Sequence, residues 1–113
     1  MNEPAVIESG WVDVGEAGGF PANEGRRCVI NGTAVAVFRL VERFFALDDT
    51  CTHGRARLSD GFVENGCVEC PLHQALFNLE TGAAMTPPAT RGVLTYPIRV
   101  RDGRVEIHTE PAA

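Results

Sequence analysis

The sequence predicts an all-β fold built from antiparallel strands. No window of ten or more residues carries the apolar stripe of an amphipathic helix. Three dipeptides typical of tight hairpin turns lie between stretches of high β-propensity: Asn31-Gly32, Asn65-Gly66 and Asp102-Gly103. The spacing of these turns and of the apolar stretches between them predicts about nine short strands.

Branched and aromatic residues mark the individual strands. The first stretch contains Val12 and Val14 after Trp11. Later strands are predicted at 27–30, 33–41, 44–47, 62–63, 67–69, 94–101 and 105–109. Glu42 and Arg43 should turn the chain between the strands at 33–41 and 44–47. The ends of the chain, 1–9 and 110–113, are expected to fray.

Length and charge restrict what the chain can do. Its 113 residues predict a single domain, 1–113, with one modest core. The formal net charge is −5, and all ten basic residues are scattered arginines, so neither nucleic acid nor an anionic membrane is expected as a partner. No apolar run approaches the roughly 20 residues of a membrane span. The acidic N-terminus lacks the apolar segment of a secretory signal, so a cytoplasmic protein is predicted.

Two short motifs carry the chemistry of the sequence. They are Cys51-Thr52-His53 and Cys70-Pro71-Leu72-His73, and they lie in a loop-rich segment at about 50–86 that interrupts the β pattern. Each motif offers one thiolate and one imidazole. A structural zinc site could use the four groups, although zinc fingers usually pair Cys with Cys and then His with His. A [2Fe–2S] centre with two cysteines on one iron and two histidines on the other could use them as well.

The motifs and their surroundings resemble Rieske-type ferredoxins of bacterial multicomponent aromatic-ring-hydroxylating dioxygenases, of the naphthalene- and biphenyl-dioxygenase kind. The resemblance covers CTHGRARLSDGFVENGCVECPLHQALFNLETGAAMTPP at 51–88 and, more weakly, TYPIRVRDGRVEIH at 95–108. It implies a sandwich- or barrel-like antiparallel scaffold with an inserted cluster-binding subdomain. It also implies one Rieske [2Fe–2S] cluster, with Cys51 and Cys70 on one iron and His53 and His73 on the other.

The function that follows from the resemblance is one-electron transfer. Electrons would pass from an NAD(P)H-dependent ferredoxin reductase to a terminal oxygenase, and the carrier would be a monomer. Residues beside the histidines would form a small docking surface: Thr52, Gly54, Leu72, Gln74 and Pro88. The chain shows no carboxylate pair, Ser/His set or phosphate loop, so we expect neither an enzyme nor a substrate of its own.

The sequence departs from respiratory Rieske proteins at four positions. Ala56 and Leu72 stand where that branch carries two disulfide-forming cysteines. Ala75 and Phe77 stand where it carries a Ser and a Tyr that donate hydrogen bonds to sulfur. Fewer donors stabilise the reduced, more negative cluster less, so we expect a reduction potential near the low end of the roughly −150 to +300 mV Rieske range.

Other candidate residues have simpler interpretations. Cys67 should point away from Cys70 and act as a small packing residue. Cys28 should be buried and inert. His108 is interpreted as a surface or hydrogen-bonded histidine, and Trp11 as an anchor of the core or of a sheet edge.

The loops that flank the motifs leave two interpretations open. Arg55 and Arg57 could contact carboxylates of a partner or pair locally with Asp60 or Glu64. Pro87 and Pro88 could cover the cluster as a third loop or simply end a turn. Three glycines are expected to permit tight bends near the cluster: Gly54, Gly61 and Gly82.

Three competing functions remain at this stage. The small ferredoxin-like subunit of nitrite reductase has a similar fold, but it generally lacks the four ligands. A zinc-stabilised interaction module would be colourless. A Rieske carrier for another oxygenase, or for a cytochrome P450-like system, would share every feature of the site.

Overall fold

The computed structural model describes residues 6–8, 10–52, 55–72, 74–87, 89 and 91–112. Within these ranges the chain forms ten strands: β1 (Val6–Glu8), β2 (Trp11–Glu16), β3 (Gly25–Ile30), β4 (Thr33–Leu40), β5 (Arg43–Asp48), β6 (Phe62–Glu64), β7 (Cys67–Glu69), β8 (Leu76–Asn78), β9 (Ile98–Arg101) and β10 (Arg104–His108). Two single-turn 3-10 helices span Ala17–Gly19 and Leu58–Asp60. No helix in the described part of the chain is long and apolar enough to cross a membrane.

The strands form three antiparallel sheets, in the orders β1-β2-β10-β9, β3-β4-β5 and β6-β7-β8. The prediction of an all-β antiparallel fold is therefore confirmed. All three predicted hairpin turns are present, and both residues of each turn have positive φ values between 50° and 80°. That backbone twist matches the twist of the flanking strands, which explains why Asn-Gly and Asp-Gly occupy these turns.

The sheet β3-β4-β5 lies between two hydrophobic clusters. On β4, Ala36 and Phe38 pack in one cluster, whereas Val35 and Val37 pack in the other. The first cluster joins this sheet to the segment that carries the cysteine motifs, and the second joins it to the sheet of β2 and β10. The continuous apolar run of β4 is therefore explained by burial on both faces.

The strand predicted at 94–101 was wrong in its extent, because the chain changes sheet within it. Tyr96 donates its backbone N–H to Ala46 in β5, whereas β9 begins at Ile98 and pairs with β10. Pro97 lies between these two pairings. Proline has no backbone N–H for a ladder, so it suits a position where the chain leaves one sheet for another.

Three further sequence predictions needed correction. The turn predicted at Glu42 and Arg43 lies one residue earlier, because Leu40 pairs with Arg43 around Val41 and Glu42. The ends are not entirely frayed, since β1 pairs with β2 and Ala112 donates its N–H to the carbonyl of Thr95. Strands β1 and β8 were not predicted, because three residues are too few to show a period and, unlike β6 and β7, neither flanks an Asn-Gly or Asp-Gly turn.

Candidate metal centre

The two cysteine motifs fold into loops with the same closing hydrogen bond. The backbone N–H of Cys51 donates to the carbonyl of Ala56 at 3.0 Å, and that of Cys70 donates to the carbonyl of Ala75 at 2.7 Å. Both cysteines are buried, with exposed fractions of 3% and 0%, and both belong to one hydrophobic cluster. The structure thus brings the two predicted thiol ligands into one core, at equivalent positions of two similar loops.

The other two predicted ligands, His53 and His73, lie outside the described residues. Gly54 and Pro88 also lie outside them. The placement of these four residues therefore stays a prediction.

The second loop directs a backbone donor at its cysteine sulfur. The N–H of Leu72 lies 3.4 Å from the Sγ atom of Cys70. A hydrogen bond of this kind stabilises a negatively charged sulfur, because the donor's partial positive charge faces it. The Leu72 side chain is partly exposed, so this loop reaches from the core to the surface.

Residues that follow β8 contact the first loop and the start of β8 itself. The Thr52 hydroxyl donates to the carbonyl of Arg91 at 2.6 Å. The backbone N–H of Leu76 donates to the hydroxyl oxygen of Thr86 at 2.9 Å. Ala89 is buried in the cluster that contains both cysteines. Thr86 and Arg91 therefore contact the start of β8 and the first loop, and the interpretation of Pro87 and Pro88 as a third loop stays a prediction.

Asp49, a residue that sequence reasoning missed, anchors the first loop. Its carboxylate is fully buried and contacts the guanidinium of Arg27 at 2.6 Å and the backbone N–H of Ser59 at 2.7 Å. Its carbonyl accepts a hydrogen bond from the N–H of Leu58 at 2.7 Å. One sequence signal could have identified Asp49. It is an acidic residue that directly follows an apolar strand and comes two positions before Cys51.

Two of the three glycines predicted to permit tight bends, Gly61 and Gly82, allow close backbone approach, and Gly54 lies outside the described residues. A Cβ at Gly61 would overlap the carbonyl oxygen of Glu69, and a Cβ at Gly82 would overlap that of Val93. Gly82 also has φ at +77°, a conformation that disfavours side chains. Gly61 thus allows the 3-10 turn at Leu58–Asp60 to pack closely against β7, the strand that directly precedes Cys70.

The remaining cysteines take no part in this arrangement. Cys67 is half-buried and, by the alternation along β7, points away from Val68 and Cys70, as predicted. Cys28 is buried, as predicted, and burial raises the pKa of its thiol. All four cysteines are unbridged.

The prediction for His108 is confirmed, whereas Trp11 lies on β2 between β1 and β10 and anchors neither the core nor a sheet edge. The Nδ1 atom of His108 accepts a hydrogen bond from the N–H of Glu110 at 3.1 Å. Its ring lies nearly perpendicular to the ring of Trp11 at a centroid distance of 5.2 Å, and the guanidinium of Arg99 lies 3.9 Å from the centroid of Trp11. Trp11 is only half-buried, so it anchors a sheet surface and not the core.

Arg55 and Arg57 are exposed, and among the described residues neither forms an ion pair with Asp60 or Glu64. The local pairing considered from the sequence is therefore not observed. Both guanidinium groups face solvent beside the first loop.

The donor set fits an iron–sulfur cluster. Two unbridged thiols are buried at matching loop positions, and one of them receives an N–H from its own loop. Cysteine thiolate is the usual protein ligand of iron–sulfur clusters. A thiolate buried away from water requires a positively charged partner, such as the iron of a cluster. Ala56, Leu72, Ala75 and Phe77 supply neither a disulfide nor a side-chain hydroxyl near these loops.

A family model for the Rieske-like [2Fe–2S] domain matches residues 10–108. The chain belongs to this family. A Rieske domain binds one [2Fe–2S] cluster, so the predicted cofactor is confirmed.

Similar Rieske proteins are ferredoxins of dioxygenase systems. The ferredoxin subunit of anthranilate 1,2-dioxygenase from Burkholderia cepacia is 45% identical over 108 residues, which cover 96% of this chain and 98% of that protein. The ferredoxin component of the naphthalene 1,2-dioxygenase system from Pseudomonas aeruginosa is 37% identical over 97 residues, which cover 86% of this chain and 93% of that protein.

A solved structure shows the same architecture. It is the complex of reduced oxygenase and oxidised ferredoxin in carbazole 1,9a-dioxygenase, in which one chain is 32% identical and superimposes with a TM-score of 0.86. The match covers 94% of this chain and 99% of that chain. The resemblance noted from the sequence is thereby confirmed. This Rieske chain is an electron-transfer component and not a catalytic subunit.

Proposed function

We propose that this Rieske ferredoxin carries single electrons in the cytoplasm, as a monomer, from an NAD(P)H-dependent reductase to the terminal oxygenase of an aromatic-ring-hydroxylating dioxygenase system. The observation that carries the proposal is the pair of buried, unbridged thiols of Cys51 and Cys70 in two matching loops. The pairing of a similar ferredoxin with its oxygenase in the carbazole system supports the choice of partner.

Four residues are proposed to hold the cluster within one Rieske domain over 1–113, whose cluster-binding subdomain lies at about 50–86. Cys51 and Cys70 bind one iron, and His53 and His73 bind the other. When bound, such a cluster accepts and releases one electron. The matching loops and the N–H donor at Cys70 support this ligand set.

The protein's own residues control charge and access at this site. Burial of Cys51 and Cys70 excludes water from the cysteine side, so the sulfur charge is offset by the Leu72 N–H instead of by solvent. The surface side of the loops carries the proposed docking residues Leu72 and Gln74, both exposed, and Thr52, partly exposed. Gly54 and Pro88 complete the proposed surface.

The ligand set is tested by spectroscopy of anaerobically purified variants. His73→Cys should keep at least part of its cluster, lower the reduction potential and change the Rieske EPR signal, because a thiolate replaces a neutral imidazole. Cys70→Ser should lose most of the iron, and Cys67→Ser, which alters a half-buried cysteine outside the loops, should retain it. An unchanged spectrum for His73→Cys would remove His73 from the ligands, and zinc in place of iron in the wild type would refute the cluster.

The docking surface is tested with two matched substitutions. Leu72→Glu and Val100→Glu each place a charge at an exposed apolar residue, with exposed fractions of 39% and 46%. Val100 lies in β9, in a different sheet from the cysteine loops. Pre-reduced ferredoxin is mixed anaerobically with a terminal oxygenase, and its reoxidation is followed by visible absorbance. We expect Leu72→Glu to slow the second-order transfer about tenfold or more and Val100→Glu to change it less than about twofold. Equal rates for the two variants would contradict docking at Leu72.

A further inference from the structure

A buried ion pair lies beside the first cysteine loop. Asp49 is fully buried, and its Oδ2 atom lies 2.6 Å from Nη1 of Arg27. The Arg27 side chain is 36% exposed, so the negative member of the pair lies inside and the positive member reaches the surface. This ion pair is therefore oriented with its charges at different depths.

The other carboxylate oxygen of Asp49 fixes the backbone of the loop. Oδ1 accepts the N–H of Ser59 at 2.7 Å, and the carbonyl of Asp49 accepts the N–H of Leu58 at 2.7 Å. These two contacts join the start of the loop, before Cys51, to the 3-10 turn that follows its end. The side chain thus connects β3, the end of β5 and this turn in one network.

Asp49 is close in the chain to the proposed ligand Cys51. Only Thr50 lies between them in the chain, which limits their Cα–Cα distance to about 7 Å. A buried charge is weakly screened, so it acts strongly on a neighbouring redox centre. A carboxylate opposes the arrival of an electron, and a guanidinium favours it.

We propose that Asp49 is a positioning residue that orders the Cys51 loop and lowers the reduction potential of the cluster, and that Arg27 partly offsets this effect. The inference rests on the proposed function, because it requires a cluster at Cys51. It assigns the low potential expected from the sequence partly to a buried charge and not only to missing hydrogen-bond donors.

The test is an EPR-monitored redox titration of holoprotein variants. Asp49→Asn removes the buried negative charge and should raise the equilibrium constant for reduction about tenfold, which is about 59 mV for one electron. Arg27→Gln removes the positive charge and should lower that constant by about threefold. The double variant should lie between the single variants. A purely structural role would reduce iron content or thermal stability without opposite shifts.

A matched control is available in the sheet that contains β10. Glu106 is also buried and is paired with Arg99 at 2.6 Å, but it belongs to a different sheet from the network of Asp49. Glu106→Gln should therefore change the equilibrium constant less than about threefold. An effect as large as that of Asp49→Asn would show a general charge effect and would overturn the specific role of Asp49.

The outcomes separate this inference from the proposed function. A wild-type protein without a Rieske signal would overturn both. A wild-type signal with shifts of the same sign for Asp49→Asn and Arg27→Gln, or with no shift for either, would overturn only the role of Asp49. Where Asp49→Asn fails to hold its cluster, Arg27→Gln decides: a lowered constant supports the inference, and an unchanged or raised constant overturns it.

Discussion

Replacing Gly61 with alanine should destabilise the protein through a backbone clash between the two cysteine-bearing segments. An ideal Cβ at Gly61 would overlap the carbonyl oxygen of Glu69 and lie 3.0 Å from Cγ2 of Val68. The φ value of Gly61 is −84°, which any residue adopts, so the cost is steric and not conformational. Glu69 directly precedes Cys70, and its carbonyl belongs to a paired strand that cannot move alone.

The expected cost can be converted to a melting temperature. Overpacking of a filled site costs about 1–3 kcal/mol, and a clash with backbone belongs in the upper half of that range. For 113 residues the unfolding entropy is about 240 cal/mol/K, so each kcal/mol lowers the melting temperature by about 4 °C. We expect Gly61→Ala to melt about 8–13 °C below the wild type.

The assay is scanning calorimetry of anaerobic holoproteins at one fixed scan rate. Gly18→Ala is the matched control, because a Cβ at Gly18 would have nothing within 4 Å and its φ is not in the left-handed region. Gly18→Ala should stay within about 2 °C of the wild type. A Gly61→Ala protein that melts equally close to the wild type would refute the steric argument.

Three other predictions concern a turn, a hydroxyl and the cluster potential. Val41 is 77% exposed and has φ at +56°, a backbone conformation that strains a β-branched residue but that Asn tolerates. Val41→Asn should therefore stabilise the protein by about 1 kcal/mol in urea unfolding. A loss of stability would contradict this prediction. Tyr96 is the one tyrosine of the chain, and burial together with a 2.6 Å hydrogen bond to Asp48 raises its pKa. Tyrosinate absorbance should therefore stay absent at pH 10–11 until the protein unfolds. The free energy of unfolding should fall as pH rises above the unfolded pKa of about 10. Ala75→Ser adds a hydroxyl beside the Cys70 loop. A hydroxyl that stabilises the reduced form by about 1.4 kcal/mol more than the oxidised form should raise the reduction potential by about 60 mV. An unchanged potential in the redox titration would contradict the expectation that missing donors lower the potential.

Local sequence signals were sufficient for the turns and for most of the strands. Asn-Gly and Asp-Gly tolerate positive φ, so three hairpins could be identified without knowledge of any distant contact. The turn at Val41 and Glu42 was misplaced because a β-branched residue such as Val does not favour positive φ, so no local signal marked Val41 as a turn residue. Pairing of Leu40 with Arg43 places it there, and that pairing is a property of the sheet.

The candidate ligands were also identifiable from the sequence, because ligand spacing is a local property. The motifs at 51–53 and 70–73 name four residues, and the sequence shows that each loop pairs a thiol with an imidazole. What the sequence could not show is which side chains support the loops. The position of Asp49 beside Cys51 suggests a role in the loop, but nothing in the local sequence indicates that Asp49 contacts Arg27 or Ser59.

The sequence by itself determined the fold class and the hairpins of this Rieske ferredoxin, and it predicted the motifs that are proposed to hold the cluster. Each of these depends on residues that are neighbours in the chain, through backbone preference or ligand spacing. Only the tertiary structure decided that β4 is buried on both faces, that the chain changes sheet at Pro97 and that a buried carboxylate supports the first cysteine loop. These features arise from packing and charge pairing between segments that are distant in the chain. Such contacts contribute to stability only once folding has brought the segments together.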